Sequence, residues 1–212
     1  MNSKKQSKNK IEKKHKMLNL KEGEELVRLA RFTIKTVLEG KSLDELKDKA
    51  KKFRQKNGLF VTLHTFPSGE LRGCIGFPWP VQLGSAIIES AQAAAFEDPR
   101  FLPLQKKELN KIIIEISILT EPKLIECSNE DIPDNVEIGE DGLICRLGDY
   151  SGLLLPQVAV EQKWNSKQFV ENACIKAGLA ANRWLHPDCK FWKFRAQIFS
   201  EEKPEGKIIL GS

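Results

Sequence analysis

The segment LRGCIG, residues 71–76, sets an arginine two positions before a cysteine and brackets that cysteine with glycines. In an extended chain successive side chains alternate, so Arg72, Cys74 and Gly76 share one face and Leu71, Gly73 and Ile75 the other. A guanidinium beside a thiol favours the thiolate, the reactive form of cysteine. A glycine on the same face leaves room above the sulfur, which would justify a residue that otherwise only weakens a strand. The same residues also fit a small core cysteine beside a glycine kink, with Arg72 in a salt bridge at the sheet edge. Catalytic cysteines are commonly served by a base, and His64 is the histidine nearest the motif. With a turn centred on Ser68 and Gly69, His64 and Cys74 stand opposite each other on paired strands; a slip of one residue sends them to opposite faces.

Two further places carry chemistry. Glu115 alternates with isoleucines in IIIEISIL and is a candidate general acid or base, or a carboxylate on a wetted sheet face. In LPQVAVEQKW, Gln157, Glu161 and Trp164 fall at helical spacing and could offer a ligand an amide, a carboxylate and an indole; the alternative is a surface helix anchored by Trp164. With three histidines and no Asp/Glu cluster, the sequence suggests no metal centre. The five cysteines never form a C-x-x-C pair, which argues against a zinc ribbon, an iron–sulfur cluster or a disulfide framework. Cys127, Cys145, Cys174 and Cys189 are therefore read as small buried hydrophobes or bystanders. No dinucleotide fingerprint or phosphate-binding glycine loop is present, and no cofactor is expected.

These residues need a scaffold. EGEELVRLARFTIKTVLEG places Leu26, Leu29, Ala30, Thr33 and Val37 on one helical stripe ending at Gly40, and Ser42 with Glu45 forms a capping box for a second helix reaching Asn57 and Gly58. LFVTLHTF and ELRGCIGF read as a hairpin, ended by PWP, and a small-residue helix then runs to Pro99. Ile112, Ile114, Ile116 and Ile118 mark a central strand. VEIGEDGLICRL reads as two strands about an Asp-Gly turn, Pro156 and Ser166 open helices, and KFWKFRAQIFSEE reads as one final amphipathic strand. Strands joined by turns, with helices in groups, predict an α+β domain around a largely antiparallel sheet with flanking helices. The late strand suggests a smaller lobe with a cleft between two unequal parts.

Charge confines the partner classes. Residues 1–16 hold seven of the 34 Lys and Arg and one of the 29 Asp and Glu, leaving 27 against 28 in the rest. The body is thus nearly neutral, and the basic segment reads as a disordered tail over residues 1–18, with an arm for nucleic acid as the alternative. No apolar run reaches the roughly 18 residues of a membrane span, and nothing resembles a secretory signal, so a cytoplasmic location is expected.

LRGCIG, AAAFEDPRF, IEISILTEP, GLLLPQVAVEQKW and FVENACIKAGL, in this order and spacing, resemble the AMMECR family. The similarity spans about residues 20–205; the domain is drawn at 19–205, with 206–212 as a C-terminal tail. The resemblance implies a compact α+β protein of a larger and a smaller subdomain with a cleft, and no settled activity. It also implies association with a Memo-type protein and a radical-SAM-type protein. Carried onto this chain, the family's motifs fall on Leu71 to Gly76, on Pro156 to Ala159, and on Glu161 and Trp164. The family does not obviously place a histidine at His64, which shifts weight from a Cys-His pair to a groove lined by Arg72 and Cys74. The function expected is binding, with or without modification, of a small or peptidic ligand; a scaffold whose motif strand offers a docking edge and a nucleic-acid regulator are the alternatives.

Overall fold

A computed structural model describes residues 18–211; of the tail drawn at 1–18, residues 1–17 lie outside them, and Leu18 is buried with its backbone bonded to the Gln197 side chain. The first helix, α1 (Leu20–Leu38), starts at Asn19, whose side chain accepts from Glu22 N–H in a capping box. α2 (Asp44–Ala50) follows. β1 (Lys56–Thr65) and β2 (Leu71–Gln82) form the hairpin, and α3 (Leu83–Phe96) closes the first half. β3 (Ile112–Leu119) and β4 (Lys123–Leu124) lead into β5 (Gly142–Leu147), β6 (Tyr150–Leu154), α4 (Pro156–Glu161), α5 (Ser166–Lys176), β7 (Lys190–Phe194), β8 (Ala196–Glu201) and β9 (Ile208–Leu210). Two antiparallel sheets result, a five-stranded one ordered β2-β1-β3-β8-β9 and a four-stranded one ordered β4-β7-β5-β6.

The large sheet buries one face under α1 and α3. Leu59, Val61 and Leu63 of β1 and Ile112, Ile114, Ile116 and Ile118 of β3 join Leu26, Ile34, Ile87 and Ala91 in the main core. On the opposite face, Phe60, Leu119 and Ala196 meet Ile144, Phe194 and Trp192 of the small sheet, while Trp79 and Trp192 pack edge to face at 5.7 Å. The second core, around Leu143, Phe169, Phe191 and Trp184, belongs to the small lobe.

Several expectations change. Pro78 and Pro80 do not end β2, which continues to Gln82; β2 is an edge strand, where a residue without an N–H can be accommodated. α2 stops at Ala50, its N-cap is Leu43 with no side-chain cap, and Asn57 and Gly58 belong to β1. Residues 136–139 are not a strand; the Asp141–Gly142 step instead opens β5, which pairs with β6 and β7. The final alternating segment is two strands, because the chain changes sheets at Arg195. Ile208–Leu210, expected in a tail, form β9 against β8.

Candidate functional site

On the large sheet's second face, neighbouring strands align Cys74 (β2), Thr62 (β1), Glu115 (β3) and Ser200 (β8) in one row. Thr62 Oγ1 donates to Cys74 Sγ at 3.3 Å. His64 does not stand opposite Cys74: a register shift between Leu63 and His64 sets His64 against Leu71, and its Nδ1 lies 3.1 Å from Gly69 O. Continued without the bulge, the Thr62–Cys74 register would set His64 against Arg72, so His64 stands two residues along from Thr62, the true partner of Cys74. His64 instead influences Glu115, its diagonal neighbour on this face.

Cys74 is fixed through its backbone. Asp98 Oδ2 accepts its N–H at 2.9 Å and Arg100 Nη2 donates to its carbonyl at 3.3 Å. Asp98 also holds the Arg100 guanidinium at 2.6 Å and accepts Arg100 N–H at 3.1 Å. The two side chains thus occupy the outward backbone groups of an edge strand, as another strand would. The Arg100 interaction, ahead of the two backbone N–H donors, lowers the Asp98 carboxyl from 3.8 to about 2.

Arg72 shares the face of Cys74 but does not serve its sulfur. Its Nε donates to Glu108 Oε1 at 2.9 Å and its Nη2 to Leu102 O at 2.9 Å, clamping residues 102–108 along β2. Phe101 lies beneath both guanidinium groups. With Arg72 committed to Glu108 and Arg100 to Asp98, burial dominates Cys74 and pushes its thiol up from 9.0, against the Thr62 hydrogen bond. The positive field expected to make a thiolate is therefore spent on carboxylates.

The glycines answer to backbone packing. A Cβ on Gly73 would sit 2.1 Å from Ala94 O of α3, and one on Gly76 would sit 2.1 Å from Leu59 O of β1. Gly73 admits a helix on the core face, opposite Cys74; Gly76 admits the neighbouring strand.

Glu115 is half-buried and its carboxyl is raised from 4.5, first by desolvation and then by the nearby Glu161 charge, with His64 acting in the opposite sense. Glu161 is the last residue of α4, so the two carboxyl groups come from different lobes. Ser117 Oγ, next but one along β3, and Gln157 Oε1 in α4 are buried without a hydrogen-bond partner among the described residues. Trp164 lies beyond α4, which ends at Glu161 before Lys163 adopts φ 55, and packs on the small lobe's core. A separate groove of about 430 Å³ lies between α2 and α3, and none of these residues lines it.

Sequence reasoning missed Thr62, Asp98 and Arg100. EDPRF held the signal for the last two, a carboxylate and a guanidinium two residues apart just past a helix end. It also missed that three cysteines taken as bystanders converge: Cys145 Sγ lies 3.7 Å from Cys174 Sγ and 3.6 Å from Cys189 Sγ.

Two antiparallel sheets packed through an apolar seam, with a polar row beside it, define an α+β protein of two unequal lobes. The sequence model of the AMMECR1 family matches residues 27–199, and the chain belongs to that family. It is 49% identical over 195 residues to protein MK0488 of Methanopyrus kandleri, covering 90% of this chain and 94% of that protein. Protein PF1979 of Pyrococcus furiosus is 47% identical over 191 residues, covering 88% and 91% of the two chains. The crystal structure of uncharacterized protein PH0010 from Pyrococcus horikoshii superposes with a TM-score of 0.84 at 46% identity, covering 89% of this chain and 96% of that one. No helix among the described residues is long and apolar enough to cross a membrane.

Proposed function

We propose that the polar row and α4 line a cleft that binds a small or peptidic ligand, with Glu115 as its acid–base group and Cys74 as a neutral thiol. The observation that carries this reading is the raised carboxyl of Glu115, placed on the sheet face and opposed by Glu161 from the other lobe. A carboxyl raised by burial and a like charge holds its proton more readily than an ordinary carboxylate, which suits it to donating a proton or a hydrogen bond. Ser117 Oγ and Gln157 Oε1 supply a donor and an acceptor still unpaired. The scaffold alternative is weaker at the motif, because Asp98 and Arg100 already take the edge groups of Cys74.

Native mass spectrometry of protein purified from its own cells tests this reading. A small molecule retained by the wild type and lost from Glu115→Ala, with Lys47→Ala in the separate groove retaining it, is the expected result. Equal retention by all three proteins, or none by the wild type, overturns it.

A further inference from the structure

Outside this site, the small lobe gathers three sulfurs from three elements. Cys145 comes from β5, Cys174 from α5, and Cys189 from the turn that enters β7. All three side chains are fully buried, at 0% exposure. Their ligand atoms lie within 4.8 Å of one another, and Cys145 Sγ is 3.6 Å from Cys189 Sγ and 3.7 Å from Cys174 Sγ. The turn carrying Cys189 is itself held: Asn129 Nδ2 donates to Trp184 O at 2.9 Å and also to His186 O.

We propose that Cys145, Cys174 and Cys189 form a mononuclear site for a soft monovalent cation of the Cu(I) type. Three thiolate–metal bonds of about 2.3 Å in a trigonal plane set sulfur–sulfur edges of about 4.0 Å, within a few tenths of an ångström of the 3.6 and 3.7 Å separations seen. An iron–sulfur cluster would hold its cysteine sulfurs much farther apart. Thiolate donors select soft ions such as Cu(I) and Zn(II). Zn(II) in a structural site takes four ligands, whereas the group has three members among the described residues and lies in an apolar core. Three-coordination therefore favours Cu(I).

Binding is balanced by proton release, since each sulfur that coordinates as thiolate gives its proton to solvent. Because the sulfurs are sealed, loading accompanies folding or a local opening of the Asn129-pinned turn. Metal that binds only the folded state also stabilises it by mass action.

The test is titration of the reduced full chain with Cu(I), anaerobically and against a chromophoric Cu(I) chelator. The expected result is one tightly held equivalent in the wild type and in Cys74→Ser, lost in Cys174→Ala and in Cys189→Ala, with a raised melting temperature on loading. X-ray absorption on the loaded wild type, which needs no variant to fold, should show sulfur neighbours only, three in number. Uptake that survives both cluster variants, uptake that disappears with Cys74→Ser, nitrogen or oxygen neighbours, or tighter retention of Zn(II) than Cu(I) each overturns the assignment.

Discussion

Asp98 should report how firmly the Cys74 strand is anchored. Its side chain is 2% exposed, and its carboxyl falls from 3.8 to about 2 on folding. That difference, at 1.36 kcal/mol per unit, corresponds to about 2 kcal/mol of stability. The folded value lies below the unfolded one, so the contribution is fully present above pH 3.8 and is lost as pH falls through about 2. Asp98→Asn keeps an acceptor for Cys74 N–H and removes the charge that holds Arg100. Urea denaturation of both proteins from pH 7 to pH 2 should give a gap of about 2 kcal/mol at pH 7 that narrows steadily below pH 4. The other carboxyl groups titrate in both proteins, so their effects cancel to first order. A gap that stays constant down to pH 2, or is absent at pH 7, would show that the folded protein does not hold the Asp98 carboxyl low.

Alkylation of Cys74 by iodoacetamide, followed by peptide mass spectrometry, should be slower at pH 7 than that of a free cysteine and should accelerate only above pH 9, since burial raises the thiol. Gly73→Ala should lower stability by roughly 1–3 kcal/mol in urea, because its Cβ would drive into Ala94 O and α3 cannot retreat without opening the core. Arg31 and Glu201 form a buried pair, and Arg31 also donates to Leu109 O and Ile112 O. Arg31→Met should therefore cost about 3–5 kcal/mol, and adding Glu201→Leu should recover much of it, as calorimetry of the two variants can show.

The central hairpin and the isoleucine strand were legible because period two survives wherever one face is buried and the other is not. β3 shows this in the contrast of Ile112 to Ile118 against Ile113 and Glu115. The change of sheets at Arg195 was not legible, since Phe191, Lys193 and Arg195 keep the same alternation through both strands and only tertiary packing separates them. Glu115 was found by its place in an apolar strand. The Cys74–Thr62 pairing was not, because a one-residue bulge at His64 leaves no mark in composition. Gly73 and Gly76 announced a close approach without saying what approached, and the partners are protein backbone. The cysteine trio was hidden by sequence separations of 29 and 44 residues, which only the meeting of β5, α5 and the turn before β7 brings to 3.7 and 3.6 Å.

The most direct test of the site is the titration of the Glu115 carboxyl by carbon-13 NMR in the wild type and in Glu161→Gln. It should titrate above 4.5 in the wild type and shift downward when the Glu161 charge is removed, since that charge and burial together hold it up. A Glu115 that titrates at or below 4.5, or that does not respond to Glu161→Gln, would contradict an acid–base site shared by the two lobes.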